Sequence, residues 1–88
     1  MKNVRTEILE TAIELCNGDR EKDYGSPEES FYAVSQMWSA YLGHYVEARD
    51  VCNMMALLKI VRLRQRPHPD SASDGAAYLA LGEEVSDA

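Results

Sequence analysis

The chain has 88 residues, a formal net charge of −6, 45% apolar residues and 27% charged residues. That is one domain of ordinary globular composition, with a core too modest for its size to rule out help from self-association. It is no candidate for disorder by composition, and its acidity argues against general binding of duplex nucleic acid, which takes a basic surface.

The N-terminus is charged and has no apolar run of the kind a signal peptide needs, and no apolar run approaches the roughly 18 residues that a membrane span needs. A soluble, cytoplasmic protein is expected, with no membrane partner. Cys16 and Cys52 have no paired spacing and are expected to act as small apolar helix residues. His44 and His68 are far apart, and no metal site is assigned.

In chain order, Val4, Ile8, Leu9, Ala12, Ile13, Leu15 and Cys16 form a helical stripe, with Glu7, Glu10 and Glu14 on the other side. Asn17-Gly18 is a stop signal. This predicts a first helix over about 3–17. Ser26, Pro27 and Glu29 then read as N-cap, first helical position and the far end of a capping box. A second helix is expected over about 27–42, with Phe31, Val34, Met37, Trp38, Tyr41 and Leu42 at helical spacing and Gly43 as its end.

The third helix, about 48–66, is the most apolar. Val51, Met54, Met55, Leu58 and Val61 would form one face, extended by Leu57 and Ile60. Its adjacent methionines suit a packed junction or a subunit interface. Pro67 and Pro69 prevent it from continuing. A fourth helix is expected over about 71–84, with Ala77, Leu81 and part of Tyr78 inside. No strand-like alternation occurs. The fold class is therefore all-α, a single-domain bundle of four helices that is expected to oligomerise.

Chemistry concentrates around the break between the last two helices. Lys59, Arg62 and Arg66 share a stripe at i, i+3, i+7, and Asp70, Asp74 and Tyr78 share one at i, i+4, i+8. The short link makes an antiparallel hairpin, so the stripes can face each other. Arginine forks and a lysine point charge suit phosphate. Alternatively, the stripes form an ion-pair seam, with Asp70 capping the last helix and Asp74 pairing with Arg62. Two carboxylates at i, i+4 can also hold a divalent cation. Tyr24-Gly25 gives a turn whose tyrosine packs on the bundle or stacks on a base.

Three stretches, DREKDYGSPEESFYAVSQMWSAYLG, DVCNMMALLKIVRL and DSASDGAAYLALGEE, carry a family resemblance. The chain resembles, over residues 19–84, a family of small phage and prophage proteins of unknown function. The shared pattern is Arg20 with Tyr24-Gly25, then Trp38, then Lys59 and Arg62, then Asp70, Asp74 and Tyr78. It is also similar, more distantly, to MazG-like nucleotide pyrophosphohydrolases, whose magnesium is held by an ExxE and ExxD quartet. Glu7/Glu10 and Glu47/Asp50 match that pattern formally, although the stretch between them is longer than usual.

The resemblance implies a helical bundle near nucleotide metabolism, with Arg20, Tyr24, Gly25, Lys59, Arg62, Asp70, Asp74 and Tyr78 as ligand-site candidates. The leading expectation is a phage-encoded protein that binds a small anionic nucleotide or nucleotide signal and sequesters it from a host defence system in the host cytoplasm. One alternative is a MazG-like nucleoside triphosphate pyrophosphohydrolase, the only reading in which magnesium enters as a cofactor. The other is a non-catalytic helical interaction protein.

Overall fold

The computed structural model describes residues 3–18 and 25–86. It has four helices, α1 (Val4–Asn17), α2 (Pro27–Leu42), α3 (Ala48–Leu63) and α4 (Pro69–Glu84). No strand occurs among the described residues. No helix among them is long and apolar enough to cross a membrane. The α3–α4 hairpin is the centre of the fold, with α1 packed on α4 and α2 packed on α3.

Local chemistry sets the helix ends. Asn3 caps α1, its side chain accepting from the Thr6 N–H at 2.9 Å. Ser26 caps α2 by accepting from the Glu29 N–H at 3.2 Å, with Pro27 in the first turn. Gly43 ends α2 in the left-handed conformation, at φ 67, where a side chain would be strained. Glu47 and Asp50 form a reciprocal capping box at the start of α3. We expect Ser26→Ala to lower stability by about 1 kcal/mol in denaturant melts, because the Glu29 N–H loses its acceptor.

Two boundaries differ from the expectation. Helix α3 ends at Leu63 rather than Arg66, because the Pro67 ring conflicts with the Leu63 carbonyl and disfavours helical Arg66. Helix α4 starts at Pro69 rather than about residue 71, and its cap is His68 rather than Asp70. The His68 Nδ1 accepts from the Ser71 N–H at 3.1 Å and lies 2.9 Å from the Ser71 hydroxyl.

The core is small. Phe31, Val46, Val51, Cys52, Leu81 and Val85 form it, with Trp38, Met55 and Tyr78 packed against it. Ser73 donates to the Ile8 carbonyl at 3.1 Å, tying α4 to α1. Cys52 is buried, and the half-buried Cys16 thiol donates to the Ala77 carbonyl at 3.7 Å.

The buried face of α3 is not the large apolar face expected. Val51, Cys52 and Ala56 are buried, whereas Met54, Leu57, Leu58, Ile60 and Val61 are exposed. Close backbone approach explains this. A Cβ built on Gly82 of α4 would lie 3.1 Å from the Cys52 Cβ, and one on Gly75 would lie 3.6 Å from the Lys59 Cβ. Helices this close accommodate small side chains between them and turn large ones outward. Met37, Tyr41 and Leu42 of the expected α2 stripe are likewise exposed.

Candidate functional site

The two charged stripes of the hairpin meet at one point. Lys59 Nζ lies 3.1 Å from Asp74 Oδ2, with side chains 14% and 34% exposed. Lys59 points into the hairpin because Cys52, Ala56 and Lys59 share one face of α3. Its aliphatic stem is covered and its ammonium meets the only kind of group that makes this tolerable. Asp74 therefore pairs with Lys59 and not with Arg62.

Arg62 lies three residues on, about 60° around the helix from Lys59, and is exposed rather than partly buried. Arg66 lies past the end of α3, so the i, i+7 relation to Lys59 is not realised. Instead the chain turns at 64–66 and gathers Arg62, Arg64, Gln65, Arg66 and His68, with Val61, around a cavity of about 350 Å³. No carboxylate lines it, and none of the three arginines forms an ion pair among the described residues. Arg64 and His68 were not candidates. A helix continued to residue 66 puts Arg64 on a different face from Arg62 and Arg66, whereas the turn at 64–66 brings all three to one depression.

The remaining candidates lie elsewhere. Asp70 is exposed in the first turn of α4, where a carboxylate complements the helix dipole. The Tyr78 ring packs against the core, edge-on to Phe31 at 6.3 Å and 72°. Gly25 has φ 81 and so provides the expected turn. Arg20 and Tyr24 lie outside the described residues.

The carboxylates of the formal quartet do not converge. Glu47 and Asp50 are engaged in the capping box, the Asp50 carboxylate accepting from the Glu47 N–H at 3.1 Å. Among the described residues, no group of three or more His, Cys, Asp or Glu side chains could hold a metal ion. A second cleft of about 300 Å³ lies between the starts of α2 and α3, with Glu28, Glu29, Tyr32, Tyr45, Glu47 and Arg49 in its wall. Its lip is acidic, the opposite of the elbow cavity.

A family model described as a domain of unknown function, DUF6378, matches residues 7–86. The chain belongs to the DUF6378 family. Its relatives include the gene 55 protein of Mycobacterium phage D29, 39% identical over 79 residues, which cover 89% of this chain and 52% of that protein. The gene 55 protein of Mycobacterium phage L5 is 39% identical over 80 residues, covering 89% and 51%. The chain thus spans about half the length of these curated relatives. No solved structure matches it. The expected kinship with small phage proteins of unknown function is thereby shown, and the match extends across all four helices.

Proposed function

We propose that this DUF6378 protein binds a phosphate-bearing small molecule, of the nucleotide class, in the cavity at the α3–α4 elbow. The observation that carries the reading is the lining: three arginines, no acid, on a chain whose net charge is −6. Three exposed arginines that line one depression with no carboxylate among them make a local positive field that attracts an anion. Arginine is suited to the task because its planar fork meets two phosphate oxygens at once. The depression is open to solvent, and its volume of about 350 Å³ is of small-molecule size. The arginines also sit where the C-terminal end of α3 favours positive charge, which helps to hold them there before a ligand arrives.

Arg62 and Arg66 are the principal phosphate ligands in this reading, with Arg64 and His68 also in the lining. Lys59 and Asp74 form the brace of the hairpin, and Tyr78 packs against the core. The relatives named above are phage-encoded, and capture of a host nucleotide signal is a role that binding alone fulfils. Hydrolysis in the MazG manner gains no support from the carboxylates, since Asp74 is held by Lys59 and Glu47 and Asp50 cap α3.

The test is calorimetry and thermal shift with inorganic phosphate, pyrophosphate, nucleoside triphosphates and cyclic nucleotides, with and without magnesium. Binding should raise the melting temperature with the logarithm of ligand concentration and weaken as salt rises. The Arg62→Ala/Arg66→Ala variant should lose at least about tenfold in affinity while keeping its helicity. Bound ligand should be recovered intact after heating. A flat response across the panel sinks the proposal. Magnesium-dependent pyrophosphate release, abolished in Asp74→Ala, would replace it with the hydrolase reading.

A further inference from the structure

The exposed face of α3 has a pattern that the elbow site does not use. Asp50, Met54, Leu57, Val61 and Arg64 recur at steps of four and three residues. They fall within an arc of roughly 80° on the side of α3 turned away from Cys52, Ala56 and Lys59. The three apolar members are 43%, 59% and 53% exposed, and Leu58 beside them is also exposed. A helix with apolar residues on every side belongs in an interior. Here α2 and α4 cover only part of it. Uncovered, the stripe is a contiguous apolar patch on the order of a few hundred Å², at the upper end of what a monomer leaves exposed.

The charges at its two ends identify the occupant. Asp50 lies seven residues before Leu57 and Arg64 seven residues after it, each about 10 Å along the helix axis. Met54 and Val61 stand inside them on either side. The stripe is therefore its own complement when reversed. Two copies crossing at Leu57 in antiparallel sense place Asp50 of each beside Arg64 of the other, and Met54 of each beside Val61 of the other. Parallel copies would oppose acid to acid and base to base. Neither Asp50 nor Arg64 forms an ion pair within the chain among the described residues. An isologous contact needs this self-complementarity, and an unrelated partner does not.

We propose that α3 is the two-fold seam of a homodimer, packed antiparallel on α3 of a second copy with Leu57 at the axis. The seam joins two small cores into one interior, so that α3 becomes a buried central helix. It draws Val61 and Arg64 of the elbow lining into the seam and leaves Arg62, Arg66 and His68 at the elbows, one set near each end of the paired helices. The seam does not depend on the elbow binding a phosphate.

Sedimentation equilibrium of the full chain, up to roughly hundred-micromolar concentrations, should give twice the mass of one chain. Leu57→Glu should give the mass of one chain with an unchanged circular dichroism spectrum, because Leu57 is outside the monomer's core. The sense of the pair is read from cysteines. Met54→Cys/Val61→Cys should oxidise to a covalent dimer, whereas each single variant should not, and these singles also control for Cys16 and Cys52. Positions 54 and 61 of one helix are about 10 Å apart, too far to bridge within a chain. A monomeric wild-type chain, a Leu57→Glu dimer, a double variant that fails to cross-link, or single variants that cross-link to themselves would each overturn the proposal.

Discussion

Gly82→Leu should lower stability by about 3 kcal/mol or more, enough to leave little of the chain folded at ordinary temperatures. Gly82 is buried on α4 at its contact with α3. A Cβ there would meet the Cys52 Cβ at 3.1 Å, the Asn53 Oδ1 at 3.6 Å and the Arg49 carbonyl at 3.8 Å. Cys52 is fully buried, and its Cβ is fixed to the backbone, so it yields only if α3 moves. A leucine would force the two central helices apart and open the core that both of them line. Gly75 supplies the control. It lies on the same helix, but its added Cβ would sit 3.6 Å from the Lys59 Cβ, an ordinary contact. Gly75→Ala should stabilise by roughly 0.5–1 kcal/mol through helix propensity. Urea titrations of the two variants should move the midpoint in opposite directions. Equal midpoints would mean that the helices are not in close contact at Gly82.

The same close approach explains what could be seen in the sequence and what could not. The four helices were legible because each is written locally. Ser26-Pro27 starts one, Gly43 ends it, and Pro67 and Pro69 end the next and begin the last. The buried face of α3 was not legible, because hydrophobicity ranks Leu57, Leu58 and Val61 above Cys52 and Ala56. Burial in a monomer follows the shape of the partner. The small residues of α4, with Gly75 and Gly82 among them, selected the small residues of α3. The large apolar stripe left outside then became the signal for a second contact.

The candidate site shows the same division. That positive charge gathers near the hairpin was plain from Lys59, Arg62, Arg64 and Arg66. Which of these face a ligand depended on where α3 stops. A helix kept to Arg66 puts Lys59, Arg62 and Arg66 on one stripe. Lys59 faces inward to Asp74 in either case, because it shares a face with Cys52 and Ala56, whereas a helix stopped at Leu63 takes Arg66 off the stripe and leaves the arginines on the elbow. Helix phase thus fixes the structural pair, and the place where α3 ends fixes the grouping of the arginines.

Asp74→Ala is the variant that measures the structural half of that division. Removing the carboxylate leaves the Lys59 ammonium, with a side chain only 14% exposed, facing the hairpin without its partner at 3.1 Å. A fully buried pair broken this way loses 3–5 kcal/mol; because Asp74 is a third exposed and Lys59 can extend towards water, about 2 kcal/mol is expected. Lys59→Met should cost less, since methionine keeps the stem's packing and the stranded Asp74 carboxylate already reaches solvent. The double variant Lys59→Met/Asp74→Ala should recover most of the loss of Asp74→Ala, because no unpaired charge remains. The cycle built from these three variants should therefore give a coupling energy of roughly 1–2 kcal/mol in thermal or urea denaturation. Phosphate or nucleotide affinity at the elbow should change little across all three, as Lys59 and Asp74 brace the hairpin while Arg62 and Arg66 meet the anion. If Asp74→Ala instead leaves stability within about 0.5 kcal/mol of wild type and abolishes ligand binding, the carboxylate belongs to the ligand and not to the brace.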